Sequence, residues 1–197
     1  MNGTLRDRSA AAFAAALCFF AADAFGADEV PRKAEPCFVC HGLGGNSTIP
    51  TNPSLAGHPA QAIAMQLYQF REGNRKDPQM SPMAANLSNK EMNELAEYFS
   101  KQKATPSAHK TAPENAAAGP KLAQEFNCVQ CHGPRLLGQQ HIPRLAGQQH
   151  EYLLAQLRRF KAQTRADLDG NMTSAAQALT DRDVEVLADY IAGLSAQ

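Results

Sequence analysis

Apolar residues recur at helical spacing in two stretches of the first half of this chain. Ile63, Leu67 and Phe70 stand at positions i, i+4 and i+7, which is the pattern of an amphipathic helix. A second set at i, i+3, i+4 and i+7 comprises Met92, Leu95, Ala96 and Phe99. Sustained alternation of apolar and polar residues is missing, and no Asn-Gly pair stands between two strand-like runs as a hairpin signal. The pattern predicts an all-α fold.

The second half of the chain repeats the first. Pro53-Ser-Leu-Ala-Gly57 returns ninety residues later as Pro143-Arg-Leu-Ala-Gly147. The helical pattern returns at the same shift, at Leu153, Leu157 and Phe160. We therefore expect two copies of one helical unit.

Each copy ends in a helix with a recognisable start. Ser88-Asn-Lys-Glu91 and Thr180-Asp-Arg-Asp183 both have the sequence of a capping box. Residues 104–115 between the copies are rich in Ala, Pro, Thr and Ser, which is typical of a linker. We predict domains at residues 27–103 and 116–197, joined by a linker over 104–115.

The N-terminus has the features of an export signal. Arg6 and Arg8 precede an apolar stretch over residues 10–22, and Ala24-Phe-Gly26 offers small residues for cleavage. The stretch is short for a membrane span, so an uncleaved anchor is the weaker alternative, and a lipoprotein processed at Cys18 is weaker still. We predict a signal peptide over residues 1–26, a periplasmic mature protein and at most peripheral association with the membrane.

Composition removes one class of partner and raises a question about the core. The 197 residues include 19 Lys and Arg against 19 Asp and Glu, without a basic run, so nucleic acid is not an expected partner. Tryptophan is absent and aromatic residues make up only 7%. Few large side chains are therefore available to fill two cores, and another group is expected to help.

The cysteines identify that group. Apart from Cys18, the four cysteines form two CxxCH motifs, Cys37-Phe-Val-Cys40-His41 and Cys128-Val-Gln-Cys131-His132. Disulfides, a thioredoxin-like pair or a zinc site would each use the cysteines but leave the histidines without a role. CxxCH is the signature of covalent haem attachment, and two copies behind an export signal predict two haem c groups.

The spacing suits that chemistry. Cysteines three apart on a helical turn project from one side, where Cys37 and Cys40, or Cys128 and Cys131, can join the two vinyl groups of one haem. The adjacent histidine lies on the same face, so His41 and His132 are the predicted axial ligands of the two irons.

A second axial ligand has to come from elsewhere in each domain, and methionine or histidine would both be reasonable. Met172 is the only methionine of the second half, in a polar loop before the capping box. Met80 holds the same position in the first half, whereas the register of Met83 falls on Ala175 in the second. We predict Met80 and Met172 as ligands and retain Met83 as the rival of Met80.

The remaining histidines and two prolines complete the set of candidates. We expect solvated, non-ligating imidazoles at His58, His109, His141 and His150, although His141 and His150 are formal rivals of Met172. Pro53 and Pro143 lie twelve and eleven residues after the motif histidines. A backbone carbonyl in either loop is able to accept the free imidazole N–H, and a simple turn is the alternative.

Taken with the signal and the tandem CxxCH domains, the repeated PxLAG segment, the loop methionine before the cap and the final Leu-Ala-x-Tyr helix resemble the di-haem cytochrome c4 family. The resemblance implies two class I cytochrome c folds around a pseudo-twofold axis, each with one His/Met-ligated haem. It also implies that the two prolines orient the histidines, and that the protein carries electrons in the periplasm to a respiratory oxidase or a related acceptor.

One feature departs from that family. Asn115 to Asn127 are able to form a helix ahead of the second CxxCH motif, but Pro31 and Pro36 disfavour one ahead of the first. We therefore expect the helix around Leu95 to be less covered than its counterpart around Leu187.

Six-coordinate irons leave no position for a substrate, so an electron carrier is predicted and not an enzyme. A di-haem peroxidase is a poor alternative for a chain this short. The haem subunit of a larger dehydrogenase, such as a flavocytochrome sulfide dehydrogenase, is the second candidate, with a flavoprotein as its partner.

Overall fold

The computed structural model describes Met1 and residues 33–197, and within them it contains only helices, turns and one isolated bridge between Gln139 and Ile142. The α-helices are α1 (Glu35–His41), α2 (Ala60–Arg71), α3 (Met80–Ala84), α4 (Asn89–Lys101), α5 (Pro113–Glu125), α6 (Cys128–His132), α7 (His150–Lys161), α8 (Asn171–Gln177) and α9 (Asp181–Ala192). The all-α prediction is confirmed. The predicted signal peptide lies outside the described residues. Among the described helices, none has the length and apolar character needed to cross a membrane.

The first domain is built where α2 packs across α4. Both are the amphipathic helices that the sequence predicts, and α4 starts with the predicted capping box, in which Ser88 and Glu91 bond each other's backbone N–H. The core is a cluster of five buried residues, Ala34, Ile63, Leu95, Ala96 and Phe99. The Phe38 ring from α1 packs against Tyr98 and Phe99 at centroid distances of 6.1 and 6.2 Å, so α1 is fixed to α4 by aromatic contacts.

Within the residues that the structure describes, the second domain has the same plan with one more helix, α5. Helix α7 packs against α9, whose capping box joins Thr180 and Asp183 as predicted. Helix α5 lies against the other side of α9, where Gly119 meets Tyr190 so closely that a Cβ atom on Gly119 would be 2.2 Å from the ring. Helix α5 begins at Pro113, inside the stretch expected to be linker. Proline is well suited to a first helical turn because its missing N–H needs no partner there.

The expected weaker cover of α4 is not seen at Leu95, which is 3% exposed against 1% for Leu187. The difference between the two helices lies on another face. Val186 and Ala192 of α9 are buried, while their counterparts in α4, Glu94 and Ser100, are not. The segment 27–32, on which a leading helix of the first domain would depend, lies outside the described residues.

The two domains meet through buried polar side chains. Arg144 is 2% exposed and donates to the carbonyl oxygens of Ala146, in its own domain, and of Ala56, in the other domain at 2.9 Å. Gln149 donates to Ser47 O at 2.5 Å across the same boundary. Because these bonds satisfy backbone groups that water cannot reach, they fix how the domains dock.

A pair of arginines extends this contact with approximate twofold symmetry. Arg75 donates to Gln66 in its own domain and to Gln156 in the other, at 2.5 and 3.2 Å. Arg165 does the reverse, with 2.6 Å to Gln156 and 3.0 Å to Gln66. The exchange of partners confirms that the repeat in the sequence is also a symmetry of the structure.

The later part of the segment between the domains, residues 109–115, is bonded to α9. Asp189 of α9 accepts from the His109 ring at 2.6 Å, from Ala112 N–H at 3.0 Å and from Asn115 Nδ2 at 2.8 Å. Thr111 donates to the Asp189 carbonyl at 3.1 Å. Residues 109–115 are therefore packed against the second domain, whereas Thr105 donates to Asn46 Oδ1 of the first.

Candidate functional site

Each CxxCH motif forms one short helix that stops at its histidine. In α1, Cys37 is half-buried, Cys40 is exposed and His41 is 6% exposed. Gly42 follows with φ of +76°, and a Cβ atom there would lie 1.9 Å from the carbonyl oxygen of Asn46. Only glycine fits, so the chain turns away immediately after the histidine.

Helix α6 repeats this arrangement in the second domain. Cys128 is half-buried, Cys131 is exposed and His132 is 8% exposed. Gly133 follows with φ of +82°, which again favours glycine. The two sites thus present the same three functional groups with the same pattern of burial.

The imidazoles are oriented by the two prolines named above. His41 Nδ1 lies 2.8 Å from Pro53 O, and His132 Nδ1 lies 2.8 Å from Pro143 O. A carbonyl oxygen only accepts, so Nδ1 carries the proton and Nε2 has its lone pair free. Neither Nε2 forms a hydrogen bond within residues 33–197.

Burial keeps both rings in the form that binds a metal. It lowers the pKa of His41 and of His132 below the usual value, and the hydrogen bonds to the proline carbonyls only partly oppose this shift. A neutral imidazole is the form that donates its lone pair to iron.

The loops that carry the prolines are tied back to the motifs. Asn52 Nδ2 donates to the Cys40 carbonyl at 3.1 Å, and Gln139 Nε2 does the same to the Cys131 carbonyl at 3.1 Å. Each loop is therefore joined to its CxxCH helix twice, by this amide and by the bond from the histidine ring.

The four cysteines that the structure describes form no disulfide, and they stand in pairs in two different domains. Burial raises the pKa of Cys37 and of Cys128 above the usual value. Within the described residues, no group of three or more His, Cys, Asp or Glu side chains is placed to hold a metal ion. The zinc alternative, which needs all four thiolates around one ion, is not supported by this arrangement.

The methionines lie in short helices, so the expectation that they stand in loops was wrong. Met80 begins α3, and Met172 is the second residue of α8. The Met80 N–H donates to the Asp77 carboxylate at 3.0 Å, and the Met172 N–H donates to the Asp167 carboxylate at 2.8 Å. Neither aspartate is the N-cap residue, which is Gln79 in α3 and Gly170 in α8, so each carboxylate accepts a first-turn N–H from outside its helix.

Met80 and Met172 match each other in exposure, and Met83 differs from both. The first two are half-buried, while Met83 is 51% exposed. Sequence reasoning missed these two aspartates, although the repeat aligns Asp77 with Asp167 at a shift of ninety residues.

The four remaining histidines have different surroundings. His141 is exposed as expected, but His58 is 9% exposed and lies at the domain boundary, so its prediction as a solvated group was wrong. Desolvation and the neighbouring Arg144 lower the pKa of His58 to about 3. His109 bonds Asp189 and stacks on His150 at 4.9 Å between ring centroids.

The residues present fit haem c in each domain. Two thiols on one helical turn, a neutral imidazole with a free Nε2 and a half-buried thioether are the groups that hold and ligate a covalent haem. Two apolar macrocycles would also supply the core volume that the scarce aromatic residues leave open.

Known proteins share this arrangement. The family described as "Cytochrome c" matches residues 116–195, and the family described as "Cytochrome C oxidase, cbb3-type, subunit III" matches residues 32–99. Cytochrome c4 of Thiocapsa roseopersicina is 37% identical over 170 residues, which are 81% of this chain and 87% of that protein. The thiosulfate dehydrogenase electron acceptor of Thiomonas intermedia is 38% identical over 176 residues, which are 82% of this chain and 80% of that protein.

The likeness extends to three dimensions. The crystal structure of reduced recombinant cytochrome c4 from Pseudomonas stutzeri matches with a TM-score of 0.75 at 32% identity, over 82% of this chain and 95% of that one. With its two CxxCH domains, the chain belongs to the cytochrome c4 family, and it is an electron carrier with two covalently bound haem c groups.

Proposed function

We propose that each domain holds its haem through the residues that the repeat makes equivalent. Cys37 and Cys40 form the thioethers of the first haem, with His41 and Met80 as its axial ligands. The corresponding residues of the second domain are Cys128, Cys131, His132 and Met172. The observation that carries this assignment is the matched 2.8 Å bond from each buried imidazole to a proline carbonyl.

The residues of this chain support electron transfer by orienting the ligands of the iron and by leaving no position at the iron for a substrate. The haem iron supplies the one-electron change between its ferric and ferrous forms. The carbonyls of Pro53 and Pro143 fix the orientation of the two rings, which would keep each imidazole in place when the iron changes charge. The imidazole and the thioether of each domain would hold its iron, and no coordination position would then be left for a substrate.

The partners are redox proteins that dock transiently. The chain has 19 basic and 19 acidic residues, so long-range electrostatic steering is weak and contact near a haem edge selects the partner. We propose a periplasmic carrier, exported by the segment 1–26, that passes electrons from respiratory donors to a terminal oxidase or another acceptor.

One relative supports a second candidate. The Thiomonas intermedia protein described as a thiosulfate dehydrogenase electron acceptor is as similar to this chain as the cytochromes c4 are. The alternative is therefore an electron-accepting subunit or partner of a larger dehydrogenase, either of that kind or a flavoprotein such as a flavocytochrome sulfide dehydrogenase. Copurification of the mature protein with a dehydrogenase at fixed stoichiometry would favour it over a free carrier.

A spectroelectrochemical titration of the purified mature protein tests the haem assignment. We expect two low-spin haems, each with the charge-transfer band of a thioether bound to ferric iron. Met80→Ala should abolish that band in one haem only, and Met83→Ala should leave both bands intact. Loss of a band in Met83→Ala, with Met80→Ala unchanged, would transfer the ligand role to Met83.

A further inference from the structure

One side chain of the second domain is bonded to the peptide unit that orients His41. The carbonyl of Pro53 accepts from His41 Nδ1 at 2.8 Å. The N–H of the same peptide unit belongs to Ser54, and it donates to Oε1 of Gln148 at 2.7 Å. A continuous chain of two hydrogen bonds therefore runs from the imidazole of the first domain to an amide of the second.

Gln148 is held in one orientation. It is 2% exposed, and its Nε2 donates to the Ser54 carbonyl at 2.9 Å and lies 3.3 Å from Nε2 of His58. Its Oε1 also accepts from the backbone N–H of Gln149 at 2.9 Å. With both ends of the amide engaged, the oxygen faces the Ser54 N–H, and a flip would break three hydrogen bonds, those with the Ser54 N–H, the Ser54 carbonyl and the Gln149 N–H.

The second domain has no equivalent of this bond. Its imidazole is bound in the same way, by the Pro143 carbonyl at 2.8 Å. Among the described residues, however, nothing accepts the N–H of Arg144, which completes that peptide unit. The repeat aligns Gln148 with His58, and the His58 ring bonds Gln148.

The asymmetry has an electronic consequence. A peptide unit is conjugated, so an acceptor on its N–H makes its carbonyl oxygen more negative and a stronger acceptor. A stronger acceptor on Nδ1–H makes the imidazole a more basic ligand. A more basic axial ligand stabilises ferric iron and lowers the reduction potential.

We propose that Gln148, a residue of the second domain, is a positioning residue that lowers the potential of the haem in the first domain through the Pro53–Ser54 peptide. The proposal rests on the ligand assignment given above for His41. It makes the reduction potential of the first haem depend on the docking of the second domain. The second haem has no corresponding dependence on the first domain.

Gln148→Met tests the proposal, because methionine keeps the volume and removes both hydrogen-bonding groups. Potentials of the two haems are measured separately by following their resolved NMR signals during a redox titration of the holoprotein. We expect the equilibrium constant for reduction of the first haem to increase about threefold, which is about 30 mV at 59 mV per tenfold change, with the second haem unchanged. The His41 Hδ1 resonance should move upfield as its hydrogen bond weakens.

Gln149→Met is the matched control. Gln149 also crosses the domain boundary, to Ser47 O, but it does not touch the Pro53–Ser54 peptide. Its variant should leave the first potential and the His41 resonance in place. The proposal is overturned if Gln148→Met leaves the first potential unchanged, shifts both haems equally, or is reproduced by Gln149→Met. Those outcomes leave the two His/Met haems intact, whereas a failure of the ligand assignment would already appear in the spectrum of the unaltered protein.

Discussion

The carboxylate of Asp167 accepts the backbone N–H of Met172 at 2.8 Å, across a loop two residues longer than the one between Asp77 and Met80. The insertion therefore falls between the aspartate and the methionine without breaking the bond. The same anchor at different loop lengths indicates that the position of the methionine backbone matters more than the path of the chain.

Asp77→Ala should loosen Met80. The substitution removes the acceptor of the Met80 and Gln79 N–H groups, which lie 3.0 Å from the Asp77 carboxylate. Hydrogen bonds to a charged group stabilise by about 1.5–3 kcal/mol each. We expect the thioether-to-iron band of the first haem to disappear at a lower temperature, while the band of the second haem is retained.

Asp77→Asn is the control for that experiment, because an amide oxygen still accepts but carries no charge. In this variant the thioether-to-iron band of the first haem should disappear at a temperature between the one measured for the native protein and the one measured for Asp77→Ala. An unaltered melting of the band in Asp77→Ala would show that packing alone holds Met80.

Gly119→Ala should destabilise the second domain, although alanine normally favours a helix over glycine by up to about 1 kcal/mol. The added Cβ would lie 2.2 Å from the Tyr190 ring, and overpacking of this kind costs about 1–3 kcal/mol. Denaturant unfolding followed at the second haem measures the change. Ala117→Ser, at an exposed position of the same helix, should have little effect, and a stabilised Gly119→Ala would mean that α5 shifts freely on α9.

Arg144→Ala should weaken the contact between the domains. It leaves the buried carbonyl of Ala56 without the donor that reaches it at 2.9 Å, and an unsatisfied buried acceptor costs about 1–3 kcal/mol. We expect a lower free energy of unfolding and a separation of the two domain transitions. Arg158→Ala, which removes an exposed ion pair with Glu185, should change stability by less than about 1 kcal/mol. Equal effects of the two substitutions would contradict the role of Arg144.

Asp189→Asn should release the segment between the domains. Burial raises the pKa of Asp189, but hydrogen bonds from Asn115, His109 and the Ala112 N–H outweigh this effect and hold the pKa below its usual value. The folded state thus favours the ionised carboxylate. Its contribution is complete above the unfolded pKa of about 3.9 and is lost as the pH falls through the lower folded pKa.

The free energy of unfolding measured in urea at pH 7 and again near pH 3 tests this sign. Asp189→Asn should be less stable than the native protein at pH 7, and the difference should shrink at the lower pH. A difference that is constant across this range would assign the effect to shape and not to charge.

The elements that local sequence determines were predictable. The capping boxes at Ser88 and Thr180 and the helical spacing of Ile63 and Phe70 depend only on neighbouring residues. Both capping boxes, and the helix that contains Ile63 and Phe70, are present in the structure as expected. The equivalence of the two domains followed from the repeat, because similar segments in the same order, at a shift of ninety residues and then of ninety-two, fold alike.

Features made by contact between distant segments were not predictable. His58 is polar and stands before a helix, where solvent exposure is usual, but the docking of Gln148 and Arg144 buries it. Helix α3 was missed for two reasons. At its start the Met80 N–H donates to the Asp77 carboxylate, and a proline inside its five residues hid the helical pattern.

The hydrogen bonds that Asp189 accepts from the segment between the domains affect the susceptibility of that segment to proteolysis. Ala104 at the start of that segment is 5% exposed, and its carbonyl accepts from the side chain of the C-terminal Gln197 at 2.6 Å. A protease needs several residues of extended, freely accessible chain, and this composition would ordinarily provide them. Here both ends of the segment are anchored, so limited digestion should spare the junction and leave the two haems on one polypeptide.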